Sequence, residues 1–263
     1  MRQNYTTSVL PSMEGDIALI TGGNSGIGQA TALQFASLGA KFIIAARRTR
    51  EAEETIDLIE SKNGECLFIK TDVTIPDNIH TMMHKIISKY HRLDYAFNNA
   101  GVLGIPIVKI HEISECTWDK MININLKGIW LCMKYQLQEM IKSGKGCIVN
   151  MSSVAGLVAR PSATAAYTSA KHGVIGLTKA AALEYAQHGI RINAICPGGV
   201  LTTPMRDFLE IDPMAKSNIT NSYPTGRLAT EKEIALCVVW LCSEKASFIT
   251  GHAMTVDGGL TAH

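Results

Sequence analysis

Ile17-Ala18-Leu19-Ile20-Thr21-Gly22-Gly23-Asn24-Ser25-Gly26-Ile27-Gly28, running on into a helical stretch from Gln29 to Leu38, is the segment that decides the fold. The apolar run between Asp16 and Thr21 suits a strand buried on both faces of a parallel sheet. A strand that enters a glycine-rich turn and leaves as a helix presents backbone N–H groups and a helix N-terminus to a pyrophosphate. Gly22 can supply the tight turn, and Gly26 and Gly28 let backbone and ligand approach with no Cβ between them. A lone glycine motif reads equally well as a flexible turn. Here the flanking strand and helix supply the context that dinucleotide binding requires.

Outward from this unit the pattern repeats. Apolar, β-branched runs recur at Phe42–Ala45, Leu67–Ile69, Tyr95–Phe97, Cys147–Met151, Ile192–Ile195 and Ala253–Val256. Helical patterns lie between them at Glu51–Ser61, Asp77–Tyr90, Glu115–Lys142, Ala166–Gln187 and Glu231–Ser243. Strands alternating with amphipathic helices predict right-handed βαβ units and a parallel sheet. Ligands of such sheets bind at the carboxyl ends of the strands, where the strand order reverses.

Composition fits one enzyme-sized unit. The 263 residues, 46% hydrophobic and 18% charged, can bury a single large core. No linker, repeat or low-complexity stretch divides them, so residues 15–263 are expected to form one domain behind a flexible N-terminal arm, residues 1–14. A formal charge of +2 without a Lys/Arg run argues against a nucleic-acid partner. No apolar run reaches the ~20 residues of a membrane span, and the polar opening lacks a signal-peptide core. Seven cysteines without a Cys-x-x-Cys pair suggest reduced thiols and a cytoplasmic protein.

Ala166-Tyr167-Thr168-Ser169-Ala170-Lys171-His172 sets a phenol and an ammonium four residues apart, about one helical turn, and hence on one face. A free tyrosine loses its proton near pH ~10 and is a poor base at neutral pH. A neighbouring positive charge favours the phenolate and is expected to bring it toward the working range. The pair reads as a proton donor and acceptor, although an ordinary surface pair has the same spacing.

Thr21–Gly28, Asn98-Asn99-Ala100-Gly101, Asn125 in Asn-Leu-Lys-Gly, Ser152-Ser153, Tyr167-xxx-Lys171 and Pro197-Gly198 occur in that order. Together they resemble the short-chain dehydrogenase/reductase family, from about Gly15 to Gly259. Ile249-Thr250-Gly251 and Val256-Asp257-Gly258-Gly259 are similar to that family's C-terminal strand and tail. The resemblance implies a Rossmann-type doubly wound α/β domain with helices on both faces of a parallel sheet. It also implies an NAD(P)-dependent oxidoreductase interconverting a secondary alcohol and a ketone. Gly22, Asn24, Ser25, Gly26, Ile27, Gly28, Asp72, Val73, Asn99, Ala100, Gly101, Pro197, Gly198, Val200 and Thr202 would then line the cofactor, with Tyr167 and Lys171. Asn125 would hold a water that links Lys171 to solvent, whereas a mid-helix Asn is otherwise solvated or back-bonded. Asn98 reads either as a structural bridge between backbone groups of neighbouring strands or as a ligand contact.

In the mechanism this implies, Tyr167 donates a proton in reduction and takes it back in oxidation. Ser153 orients the substrate oxygen, and Lys171 lowers the tyrosine pKa and binds the nicotinamide ribose. Ser153 is preferred because it precedes Val-Ala-Gly, Ser152 stays open, and Ser162 is more remote. The family's commonest spacing back from Tyr167 falls on Val154, so the segment Leu157–Ala165 carries one extra residue. After the second strand, Ala46 stands where an NAD-preferring enzyme places an acid, and Arg47 follows. A guanidinium suits a 2′-phosphate, so NADP is expected over NAD, although Arg47 and Arg48 could be merely solvated.

The segment Gly199–Gly226, with Thr202, Thr203, Met205, Phe208 and Leu209, suits a mobile lid over a small alcohol or carbonyl substrate. Arg160 could meet an acidic substrate or simply face solvent. His80 and His84 lack further ligands, and no metal is expected. An epimerase or dehydratase on the same fold, or a non-catalytic dinucleotide-binding module, are the competing functions. The helices Glu115–Lys142 and Ala166–Gln187 are too apolar for lone surface helices, and the family pairs them between subunits, implying a homotetramer.

Overall fold

A computed structural model describes residues 10–61, 64–103 and 107–262. Among these, strands β1 (Ile17–Thr21), β2 (Lys41–Ala46), β3 (Cys66–Lys70), β4 (Tyr95–Asn98), β5 (Gly146–Met151), β6 (Ile190–Pro197) and β7 (Ala253–Val256) form one sheet. Their order is β3-β2-β1-β4-β5-β6-β7 and every pairing is parallel. The chain builds outward from β1 to one side, then restarts at β4 on the other. That reversal opens a crevice beyond the carboxyl ends of β1 and β4, where both the glycine-rich turn and Asn99-Ala100-Gly101 fall.

Successive strand residues alternate between two cores. Ile17 and Leu19 of β1 pack with helices α3 (Pro76–Tyr90), α5 (Gly128–Ser143) and α6 (Ala165–Tyr185). Ala18 and Ile20 pack on the opposite face with α1 (Gly26–Ser37), α2 (Thr49–Glu60) and α9 (Glu231–Cys242). A sheet sandwiched in this way needs apolar side chains on both faces of its strands, which is why the runs read as continuous rather than alternating.

Three segments differ from the sequence reading. The single helix expected over Glu115–Lys142 is α4 (Glu115–Ile122), a π-helical turn over Asn123–Lys127, and then α5. Asn125 causes the break in register, because its side-chain Nδ2 donates to the Met121 carbonyl at 3.2 Å, an acceptor of the preceding turn. Such π turns concentrate at functional sites. The lid segment folds as two short helices, α7 (Thr203–Ile211) and α8 (Pro213–Asn221). Of the arm expected over residues 1–14, residues 1–9 lie outside the described residues. Its end is docked: Met13 is 2% exposed, and its N–H donates to the Leu38 carbonyl at 2.8 Å.

Candidate active site

The glycine-rich turn is built by neighbours that leave no space for side chains. Gly22 adopts a left-handed φ of +66°. A Cβ on Gly28 would lie 2.2 Å from the Gly22 carbonyl oxygen and 2.7 Å from Asn99 Nδ2. Asn99 Nδ2 donates to the Thr21 and Gly22 carbonyls, each at 3.1 Å. The N–H groups of Asn99 and Ala100 both donate to Thr21 Oγ1, at 3.0 and 3.1 Å. β1 and β4 are thus stitched together at the floor of the crevice. A Cβ on Gly26 would come within 3.6 Å of Thr202 Cγ2, so Thr202 stands across the crevice from the start of α1.

Asn24, 6% exposed, carries a buried amide nitrogen with no hydrogen-bond partner. An orphaned buried donor costs about 1–3 kcal/mol, and a phosphate oxygen would satisfy it. A buried amide donor, free N–H groups at a helix start and a cradle too tight for Cβ atoms fit a dinucleotide pyrophosphate. Ile27 follows in the first turn of α1 and packs against the core of that face.

Beyond β2, Arg47 is exposed, and its Nη1 lies 3.9 Å from Asp72 Oδ2. Asp72 Oδ1 accepts from the Thr74 N–H at 2.9 Å and its hydroxyl at 2.7 Å, which fixes the carboxylate. Arg48 donates to Ser25 Oγ at 3.2 Å, so a second guanidinium borders the phosphate turn. Val73 is buried; a Cβ on Gly128 would lie 2.9 Å from its Cγ2, so its side chain supports α5. Pro197 ends β6, the Gly198 N–H donates to Val256 O at 3.1 Å, and Val200 bridges to Ala229.

Asn125, Ser153, Tyr167 and Lys171 come from three segments, the π turn, the turn after β5 and α6, and Asn125 and Lys171 meet at Gly101. Thr164 caps α6 by accepting from the Tyr167 N–H at 3.3 Å, which sets where the helix carrying Tyr167 and Lys171 begins. Asn125 is fully buried, and its Oδ1 accepts from the Val102 N–H at 3.0 Å. A Cβ on Gly101 would lie 2.8 Å from that oxygen and 3.9 Å from Lys171 Nζ. Lys171, 3% exposed, donates from Nζ to the Met151 carbonyl at 2.8 Å, and its Nζ is 5.5 Å from the Tyr167 ring centroid. Burial pushes its pKa down to about 8, partly offset by the neighbouring Cys196.

The two serines divide their work. Ser152 is buried and its hydroxyl donates to the Lys171 carbonyl at 2.9 Å. Ser153 Oγ accepts from the Ala155 N–H at 3.2 Å, and its hydroxyl acts to lower the Tyr167 pKa. Ser162 lies exposed in the loop before α6. One expectation is corrected. Spacing predicts that Lys171 lowers the tyrosine pKa, but burial raises it, with only the Ser153 hydrogen bond opposing. The ammonium faces the Met151 carbonyl rather than the phenol oxygen, and desolvation prevails.

Asn98 is also corrected, because it bridges side chains rather than backbone groups. Its Nδ2 donates to Gln136 Oε1 at 3.0 Å and Asn150 Oδ1 at 2.9 Å, and its Oδ1 accepts from Gln136 Nε2 at 2.8 Å. Asn150 Nδ2 in turn donates to Thr178 Oγ1 at 3.0 Å. This fully buried network joins β4, β5, α5 and α6 one residue beneath the catalytic strand ends. Gln136 and Thr178 were not singled out in the sequence; the signal was a polar residue on the apolar face of each helix. Tyr223 was also missed; its hydroxyl accepts from the Gly199 N–H at 2.6 Å.

Among the described residues no three metal-ligating side chains converge, and His80 packs edge-on against Tyr135 at 5.8 Å. No helix among them is long and apolar enough to cross a membrane.

Known proteins match this architecture along nearly its whole length. A family model described as enoyl-(acyl carrier protein) reductase matches residues 22–261. A short chain dehydrogenase/reductase of Aspergillus oryzae is 40% identical over 256 residues, covering 95% of this chain and 96% of that protein. A cyclohexanol dehydrogenase of Acinetobacter sp. is 37% identical over 246 residues, covering 94% and 95%. The crystal structure of levodione reductase superposes with a TM-score of 0.89 at 32% identity, covering 95% and 98%.

Proposed function

The chain belongs to the short-chain dehydrogenase/reductase family, and from that premise we propose that Tyr167 is the acid and base of an NADP-dependent alcohol–ketone interconversion. The chain is an NAD(P)-dependent oxidoreductase acting on CH–OH groups. The observation that carries the proposal is the Tyr167 ring with the buried Lys171 ammonium 5.5 Å from its centroid, beside Asn125 at the crevice floor. The dinucleotide, when bound, supplies or accepts the hydride. Asn24, the turn Gly22–Gly28 and Thr202 would hold its pyrophosphate and nicotinamide ends, and Asn99-Ala100-Gly101 its ribose. Ser153 orients the substrate oxygen, and Tyr167 passes its proton to that oxygen in reduction. Burial favours the neutral phenol, the form that donates in reduction. Lys171 keeps a positive charge at neutral pH that supports the phenolate left behind. Asn125 holds the Gly101–Val102 turn and, with a water, would connect Lys171 to solvent.

Two arginines beyond β2, with Ala46 in place of an acid, support NADP rather than NAD. The lid residues Met205, Phe208 and Leu209 and the relatives named cyclohexanol dehydrogenase and levodione reductase support a small alcohol or carbonyl substrate. The groove between α5 and α6, lined by Trp130, Leu137, Ile141, Leu177 and Tyr185, favours pairing of copies in a homotetramer. Free cysteines throughout favour a cytoplasmic protein. A fluorescence titration with NADPH and NADH at one fixed salt concentration tests the cofactor reading. Tighter NADPH binding, weakened in Arg47→Ala, supports it; tighter NADH binding refutes it.

A further inference from the structure

The lid leaves the sheet after Pro197, and its two ends are joined at the base. The Ala229 N–H donates to the Gly199 carbonyl at 3.0 Å, and the Leu201 N–H donates to the Ala229 carbonyl at 2.8 Å. From this base α7 departs, with Arg206 in its first turn. The guanidinium folds back instead of reaching into solvent. Its Nε donates to Leu201 O at 2.9 Å, and its Nη2 donates to Glu231 Oε2 at 2.7 Å. Glu231 is the first residue of α9. One ion pair thus clasps the lid to α9.

The same carboxylate reaches the phosphate turn. Its other oxygen, Oε1, lies 3.9 Å from where a Cβ on Gly26 would stand, and Thr202 Cγ2 lies 3.6 Å from that point. Guanidinium, carboxylate and glycine-rich turn therefore follow one another at the crevice. The capping of α9 is complete without Glu231. Thr230 Oγ1 accepts from the Glu233 N–H at 3.2 Å, and Glu233 Oε2 accepts from the Thr230 N–H at 2.8 Å. Stability does not account for the clasp either, because an ion pair whose arginine is half-exposed contributes little. A carboxylate beside a pyrophosphate site opposes the ligand, and the Glu231 side chain, 20% exposed, is incompletely screened by solvent. A charge placed against its neighbour's ligand is the kind of local conflict that marks a functional position.

Resting on the reading that the turn Gly22–Gly28 holds the dinucleotide pyrophosphate, we propose that Arg206 and Glu231 form a charge latch that sets how long the dinucleotide stays bound. The pyrophosphate and Glu231 compete for the Arg206 charge, so Arg206 retains the dinucleotide and Glu231 hastens its departure. Release rather than chemistry limits turnover in many enzymes, and an acid at this point keeps dinucleotide exchange fast.

Displacement of bound NADPH by excess NADP, and in parallel of NADH by excess NAD, followed by nicotinamide fluorescence at one fixed salt concentration, reads the residence time. Gln has the shape of Glu and still accepts from Arg206, so Glu231→Gln removes the charge without opening the clasp. The reduced dinucleotide should leave Glu231→Gln at least about threefold more slowly than the parent, and Arg206→Gln at least about threefold faster. A clasp that only held the lid in place would be weakened by both substitutions, and both would then speed release. Rates changed in the same direction by both, or unchanged in either, overturn the inference while leaving the oxidoreductase reading intact. Failure of both dinucleotides to bind the parent overturns the inference and that reading together.

Discussion

Replacing Lys171 with methionine removes the most expensively placed charge in the site and should change stability in a pH-dependent way. The ammonium is 3% exposed, and burial takes its pKa from 10.5 to about 8. Each unit is worth about 1.4 kcal/mol, so the fold carries a penalty of about 3 kcal/mol wherever the lysine is charged in both states. Below pH 8 that penalty is complete. Between pH 8 and 10.5 the unfolded chain holds the proton that the folded chain has released, so stability rises with pH through this window. Methionine has no proton to exchange and fills a similar volume, losing only the bond to the Met151 carbonyl, worth about 1 kcal/mol. The variant should therefore be more stable than the parent by about 2 kcal/mol at pH 7 and slightly less stable at pH 10.5, while losing turnover. Urea unfolding of both cofactor-free proteins at one protein concentration, across pH 7 to 10.5, measures the difference. Parallel curves would refute the reasoning, because they would mean that Lys171 titrates in the fold as it does in the unfolded chain.

Two further substitutions probe the framework. Gly28→Ala puts a Cβ 2.2 Å from the Gly22 carbonyl, so the phosphate turn must move. NADPH binding should weaken by at least about tenfold, roughly the 1.4 kcal/mol that a displaced set of N–H donors represents, and unchanged affinity in a titration would contradict the placement of the pyrophosphate. Gln136→Met keeps the side-chain volume but takes the donor away from Asn98 Oδ1 in a site with no water access. It should cost about 1–3 kcal/mol, or several degrees in thermal midpoint, and a midpoint within a degree of the parent would show that the network carries no stability.

The strands and most helices were legible because a sheet covered on both faces demands apolar runs, and these are local in sequence. The π turn was not, because the Asn125 side chain that breaks the register by bonding the Met121 carbonyl is held on its other side by the Val102 N–H, 23 residues away in sequence. The lid helix α7 is short and rich in charge. Its own Arg206 anchors it to residues outside the helix, donating to Leu201 O at 2.9 Å and Glu231 at 2.7 Å. The spacing Tyr167–Lys171 revealed the pair but not its depth of burial, and depth sets the direction of the tyrosine pKa. Ser152 and Ser153 could not be separated by composition; successive residues at a strand end face opposite ways, and only the partners decide between them. Asn24 was legible as a member of the turn, and its unpaired amide became visible only once the loop was closed around it.

The most direct test of the account is Tyr167→Phe, assayed by NADPH titration and by reduction of a cyclic ketone that the parent turns over. The change removes one hydroxyl at a half-buried ring and leaves the phosphate turn untouched. The account predicts unaltered NADPH affinity with turnover reduced by at least about a hundredfold, the range that general acid catalysis contributes. Turnover at the rate of the parent would contradict it.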